Sequence, residues 1–134
     1  DFFLGLYSTA LQPDEVLVAA EVPLATPSQW TGFSELARRH GDYAIAGMAV
    51  CAQRNAGVLK GVRIVLLGIG ATPLRARQTE ALLDGRALDA AAIASAVASL
   101  KSEIEPFPDL TNTPETKRHL AGVLLQRLLQ SAQS

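Results

Sequence analysis

The segment Arg63–Gly85, RIVLLGIGATPLRARQTEALLDG, changes its period part-way along. Up to Leu67 it is an apolar, β-branched run of the kind that fills a strand, and past Gly70 its residues suit a helix. Thr72 offers an N-cap hydroxyl, Pro73 suits the first helical position, and Gly85 suits the left-handed residue after a helix; together they predict a helix ending near Asp84. Strand signals lie before this switch and helix signals after it. That order predicts an α+β domain: an antiparallel sheet of three to four strands packed against three helices.

Working back from the switch, Val58–Leu67 and Ala44–Gln53 flank Arg54-Asn55-Ala56-Gly57. Asn and Gly tolerate the positive φ of tight reversals, so these runs predict an antiparallel hairpin. Trp30–Ala37, WTGFSELA, predicts a further strand. So does Glu15–Val22, EVLVAAEV, bounded by Pro13-Asp14 and Pro23. Working forward, Asp89 predicts the cap of a second helix, which Pro106 and Pro108 prevent from continuing. Thr113-Pro114-Glu115 opens a third helix to about Ser131, with Leu120, Leu124 and Leu128 flanked by Ala121, Leu125 and Leu129 as a broad apolar stripe.

Length and composition bound the rest. A chain of 134 residues, 49% of them hydrophobic, suits one ordered domain. The formal net charge of −1 gives no excess of cation for binding nucleic acid. One cysteine excludes an internal disulfide framework and is compatible with a reducing compartment. No apolar run reaches the roughly 18 to 20 residues of a membrane span. The opening DFFLGLY has neither an initiating Met nor a leader pattern, and reads as a cut within a longer polypeptide.

Candidate chemistry is sparse. Gly68-Ile-Gly70-Ala-Thr72-Pro73 follows a strand as a dinucleotide-binding loop does, but Pro73 stands where a third glycine is required and no second parallel strand follows. A strand turning through glycine into a capped helix explains the same residues. Cys51, inside an apolar strand, reads as a small core residue. His119 reads as a surface group, and two histidines and one cysteine so far apart make no metal site. His40 has Asp42 to orient it, without a Ser or Cys placed by sequence to complete a triad. The segment Arg38–Val50, RRHGDYAIAGMAV, runs from a polar turn into small residues that permit close approach of backbone to something flat or bulky. From composition alone, a plain polar turn competes evenly with that reading.

Five segments in order carry a resemblance: DFFLGLYSTAL, PDEVL with EVPL, FSELARRHGDYAIAGMAV, RIVLLGIGATPLRARQTEALLDGRAL and KRHLAGVLLQRLL. Together they resemble the C-terminal domain of the FAD-binding medium subunit of molybdenum hydroxylases, the group of aerobic carbon monoxide dehydrogenase and xanthine dehydrogenase. The resemblance implies a single domain over 1–134, with 1–12 leading from an FAD-binding domain that supplies the glycine-rich diphosphate cradle. It implies FAD in the full-length subunit, and partners in a cytoplasmic complex: a small subunit with [2Fe–2S] clusters and a large subunit with the molybdenum cofactor. By position it implies Tyr7 over one face of the flavin, Asp42 and Tyr43 on the flavin side of a loop spanning Arg38–Ile45, and Arg39 as a cofactor-binding residue that tunes this loop. Where the family often carries Tyr-Arg at the start of the last helix, this chain carries Thr116-Lys117. Two other readings stand beside it: a stand-alone protein-interaction module, and a small hydrolase built on His40 and Asp42.

Overall fold

The computed structural model describes residues 2–133. Nine elements follow in chain order: β1 (Phe3–Gly5), β2 (Ser8–Thr9), β3 (Gln29–Leu36), β4 (Ala46–Asn55), β5 (Val58–Leu67), β6 (Leu74–Arg75), α1 (Arg77–Leu83), α2 (Ala90–Glu103) and α3 (Pro114–Ser131). β3-β4-β5-β6 form one antiparallel sheet, and β1 and β2 pair separately as a small hairpin.

The β4–β5 hairpin forms because Ala56 (φ 48) and Gly57 (φ 77) both take positive φ, the twist-matched two-residue turn. Its register pairs Val50 with Ile64 and Met48 with Leu66. Alternation then assigns each residue a face. Ala46, Met48, Val50 and Ala52 of β4, with Val62, Ile64 and Leu66 of β5, are buried against the helices. They meet Leu83 of α1, Ile93, Ala96 and Leu100 of α2, and the Ala121, Leu124, Leu125, Leu128 and Leu129 stripe of α3 in one core. The opposite face carries Phe33, Ala49, Cys51 and Val65, and Phe33 is 60% exposed. Cys51 is therefore on the open face rather than in the core, because an odd-numbered β4 position points away from the helices; Gln29 Nε2 donates to its Sγ at 3.4 Å.

Two expected elements differ. Glu15–Val22 forms no strand: its residues are exposed and the described chain offers them no partner strand. Thr72-Pro73 does not open a helix either. Leu74 and Arg75 instead pair with Leu66 and Val65 as the short edge strand β6, and Ala76 N donates to Ile64 O at 3.0 Å, which delays the helix to Arg77. Ala76 has no capping side chain, so the cap comes from elsewhere in the chain: the Glu103 carboxylate at the end of α2 accepts from Gln78 N (2.9 Å), Thr79 N (3.0 Å) and Thr79 Oγ1 (2.9 Å). α2 and α3 start at the predicted caps, with Asp89 Oδ1 accepting from Ala92 N and Thr113 Oγ1 from Thr116 N.

One ion pair fastens α1 to the sheet. The Glu80 carboxylate receives Arg75 Nε (2.7 Å) and Nη2 (2.6 Å) side by side, and Ile64 N (2.8 Å). Burial opposes ionisation of Glu80, but the hydrogen bonds from Arg75 and Ile64 outweigh it and hold the carboxyl below its usual range. A depressed carboxyl pKa contributes stability that is present above the unfolded value, near 4.5, and is lost as pH falls through the folded value. Glu80→Gln is therefore expected to cost about 1–3 kcal/mol at pH 7. The gap from the unsubstituted protein should narrow in urea titrations run progressively below pH 4.5; a gap that stays constant with pH would contradict this role.

Candidate functional site

The two loops at one end of the sheet come from distant parts of the chain. The first, residues 37–45, joins β3 to β4 and is closed where Ile45 N donates to Leu36 O at 2.7 Å. Within it Asp42 N donates to Arg39 O (3.2 Å), Gly41 takes φ 79, and Asp42 Oδ1 accepts from Tyr43 N (3.0 Å). Arg39 Nε stands 3.7 Å from Asp42 Oδ2 on a side chain that is 84% exposed, a contact of little energetic weight. Tyr43 is left 87% exposed.

The second loop, Asp109–Asn112, precedes α3 and is organised by one carboxylate. Asp109 Oδ1 accepts from Thr111 N (2.8 Å) and Asn112 N (2.8 Å), and Oδ2 from Lys117 Nζ (3.1 Å). The backbone hydrogen bond from Thr111 and the Lys117 ammonium hold this carboxyl well below the usual range. Lys117, 6% exposed, also donates to Gly68 O at 2.9 Å.

Gly68 completes the join. Its φ is 72, and a side-chain carbon placed there would stand 2.8 Å from Ala44 O and 2.9 Å from Ile45 O. Only glycine lets the end of β5 touch the backbone of the first loop while turning its own carbonyl to Lys117. Phe107 N reinforces the contact by donating to Ile69 O at 2.8 Å. Gly68 thus serves a backbone approach.

Between the loops lies a cleft of about 240 Å³ lined by Arg38, Asp42, Tyr43, Ala44 and Ile45 from the first and Asp109–Asn112 from the second. Leu110 projects fully into solvent at its rim. Of the residues singled out from the sequence, the structure brings Asp42 and Tyr43 together here. Arg39 lines a neighbouring depression with Glu35, His40 and Asp42. Tyr7 sits in the β1–β2 turn, 91% exposed, and lines neither. Its φ of 56, uncommon for a bulky residue, belongs to the tight reversal between Gly5 and Ser8. Leu110 and the Asp109 hub were missed, because their relation to residue 42 exists only after folding.

The depression holding His40 and Asp42 contains neither Ser nor Cys, and among the described residues no hydrogen bond joins the two. No group of three or more His, Cys, Asp or Glu is arranged to hold a metal among the described residues. No helix among them is long and apolar enough to cross a membrane. Lys117 fills its position with two partners, Gly68 O and Asp109 Oδ2. Gly68→Ala is expected to cost at least about 2 kcal/mol, from positive φ and backbone overlap together. Denaturant unfolding would check it, and a loss below about 0.5 kcal/mol would show that the approach is not tight.

Residues 31–132 match the family described as CO dehydrogenase flavoprotein C-terminal domain. The chain is 33% identical over 134 residues to the carbon monoxide dehydrogenase medium chain of Afipia carboxidovorans, covering 100% of this chain and 46% of the relative. It is 34% identical to the caffeine dehydrogenase subunit beta of a Pseudomonas species, covering 98% of this chain and 45% of that one. The fold superposes on a solved carbon monoxide dehydrogenase from Hydrogenophaga pseudoflava with a TM-score of 0.90 at 35% identity, over 98% of this chain and 46% of that chain. Against quinoline 2-oxidoreductase from Pseudomonas putida 86 the TM-score is 0.87 at 30% identity, over 100% and 48%. The chain spans about half the length of the curated relatives it matches.

Proposed function

The chain belongs to the CO dehydrogenase flavoprotein C-terminal domain family, and on that premise we propose that it helps enclose the flavin of a molybdenum hydroxylase medium subunit. Its partners in this reading are the FAD-binding domain, an iron–sulfur small subunit and a large subunit with the molybdenum cofactor, in a cytoplasmic complex. The observation that carries the reading is the cleft itself, which joins Asp42–Ile45 to Asp109–Asn112 and has Tyr43 and Leu110 exposed around it.

The residues present fit one part of FAD and not the whole. At about 240 Å³ the cleft is below the usual size of a complete ligand pocket. Its lining can cover the edge of a flat conjugated ring, with Tyr43 and Leu110 shielding it from water and Asp42 placing a carboxylate beside it. Gly68 is committed to Ala44, Ile45 and Lys117 and is not offered to a diphosphate. The dinucleotide portion is therefore assigned to the other half of the subunit. Tyr7, exposed in the β1–β2 turn, would add an aromatic face, and Arg39 would moderate the charge of Asp42 from solvent. When bound, the flavin would supply the redox chemistry, relaying electrons from the iron–sulfur clusters to an acceptor.

In the assembled enzyme, Asp42→Asn removes a negative charge near the ring and is expected to raise the flavin midpoint potential by on the order of tens of millivolts. Tyr7→Ala or Tyr43→Ala is expected to remove an aromatic contact worth about 0.5–1.5 kcal/mol, so that FAD is lost more readily. Reduction of the molybdenum centre in the first half-turnover should be unchanged. Flavin content, flavin potential and molybdenum reduction measured separately would decide; normal flavin properties in all three variants would sink the reading.

A further inference from the structure

We propose that the groove between α2 and α3 is a binding site for an elongated amphipathic carboxylate, an apolar chain or ring system with one acid group at its end. The groove shares no lining residue with the cleft between the two loops, and the proposal is independent of the flavin reading.

The two helices run antiparallel and are tied across at both ends of the groove. Gln133 Nε2, past the end of α3, donates to Leu88 O ahead of α2 at 2.8 Å. Arg118 Nη2, early in α3, donates to Ile104 O at the end of α2 at 3.4 Å. Between these ties lies a groove of about 500 Å³, about twice the volume of the cleft and within the usual range of small-molecule sites. From Ala90 to Lys101 it runs roughly 16 Å at the helical rise, so its occupant is long rather than compact.

Ile93 and Val97 form an apolar floor, and Ala94 and Ala98 leave it open because a methyl group does not reach across. On the α3 side Gln126 and Gln130, one turn apart, present amides along the wall. Lys101 is the one charged residue of the lining, and no acid accompanies it. Gly122 gives this lysine its path: a side-chain carbon there would stand 2.5 Å from Lys101 Cε and 3.4 Å from Val97 Cγ1. The lysine stem therefore crosses α3 at the glycine, with its methylenes on apolar surface and its ammonium at the end of the groove. Among the described residues no carboxylate stands within ion-pair distance of that ammonium, whereas Lys117 and Arg75 each have one. The last turn of a helix favours a basic residue in general, but does not account for one laid over a glycine at the end of an apolar groove. The complement is a ligand whose apolar body covers Ile93 and Val97 and whose acid group meets Lys101. A cation would be repelled there, and a neutral chain would gain nothing from the lysine.

The test is a titration of the full-length medium subunit with decanoate below its micelle-forming concentration, followed on the methyl signals of Ile93 and Val97. The expected result is saturable shifts at these methyls and none at Ile64 in the sheet core. Decanol and decylammonium should bind at least about tenfold more weakly, as should decanoate to Lys101→Met. Lys101→Arg, which keeps the charge, should retain most of the affinity. Ala94→Trp, at an exposed position, should block the groove. Repeated on the assembled complex, the titration should give the same binding. Absent or unsaturable shifts would overturn the proposal. So would equal affinity for decanoate and decanol, which would mean an adhesive apolar patch, or binding lost on assembly, which would make the groove a subunit interface. Because the three probes are compared on the unsubstituted protein, failure of a variant to fold leaves the proposal testable.

Discussion

The contact between Lys117 and the carbonyl of Gly68 holds the two-loop end of this domain together. An ammonium buried to this degree must be paired and hydrogen-bonded, or it costs several kcal/mol. Lys117 is satisfied by exactly two things at once: the end of β5 and the Asp109 carboxylate that shapes the next loop. Gly68 can offer its carbonyl only because its positive φ and missing side chain let it press on Ala44 and Ile45. Sheet, first loop, second loop and α3 thus meet at one residue. The cleft between the loops inherits its shape from that junction.

This arrangement places loops on a rigid scaffold, which is how folds generally carry function. The four-stranded sheet and three helices bury a continuous aliphatic core, and the Arg75–Glu80 pair locks α1 against β5. The polar loops 37–45 and 109–112 lie at the ends of strands and helices, where backbone groups can be offered to a ligand. A cofactor edge held there would be positioned by main chain and by a few short side chains.

What could be read from the sequence was local. Ala56-Gly57 encodes a tight reversal, Asp89 and Thr113 encode caps, and the leucines of α3 encode a face; each is settled within a few residues and each was legible. The α+β order followed from them. The beginning of α1 was not legible because its cap is Glu103, 26 positions after Arg77 and on a different helix. Cys51 was misplaced by a one-residue question of facing, which alternation settles only once the register with β3 and β5 is known. Glu15–Val22 was read as a strand and forms none, because β propensity alone does not supply the partner strand that a ladder needs. At the candidate site, Asp42 and Tyr43 were singled out through resemblance, whereas Asp109, Leu110 and Lys117 lie more than 60 positions away and enter through tertiary contact alone.

The most direct measurement is amide exchange by NMR at Thr111 and Asn112, whose N–H groups donate to Asp109, in the Lys117→Met protein. Without the ammonium, the Asp109 carboxylate loses its tie to α3 and Gly68. Both amides should then exchange much faster, with shifts also changing at Ala44 and Ile45, while Leu124 and Leu125 in the helix core stay protected. Unchanged exchange at Thr111 and Asn112 would show that the second loop is built by its own turn geometry and that the Lys117 junction does not organise the site.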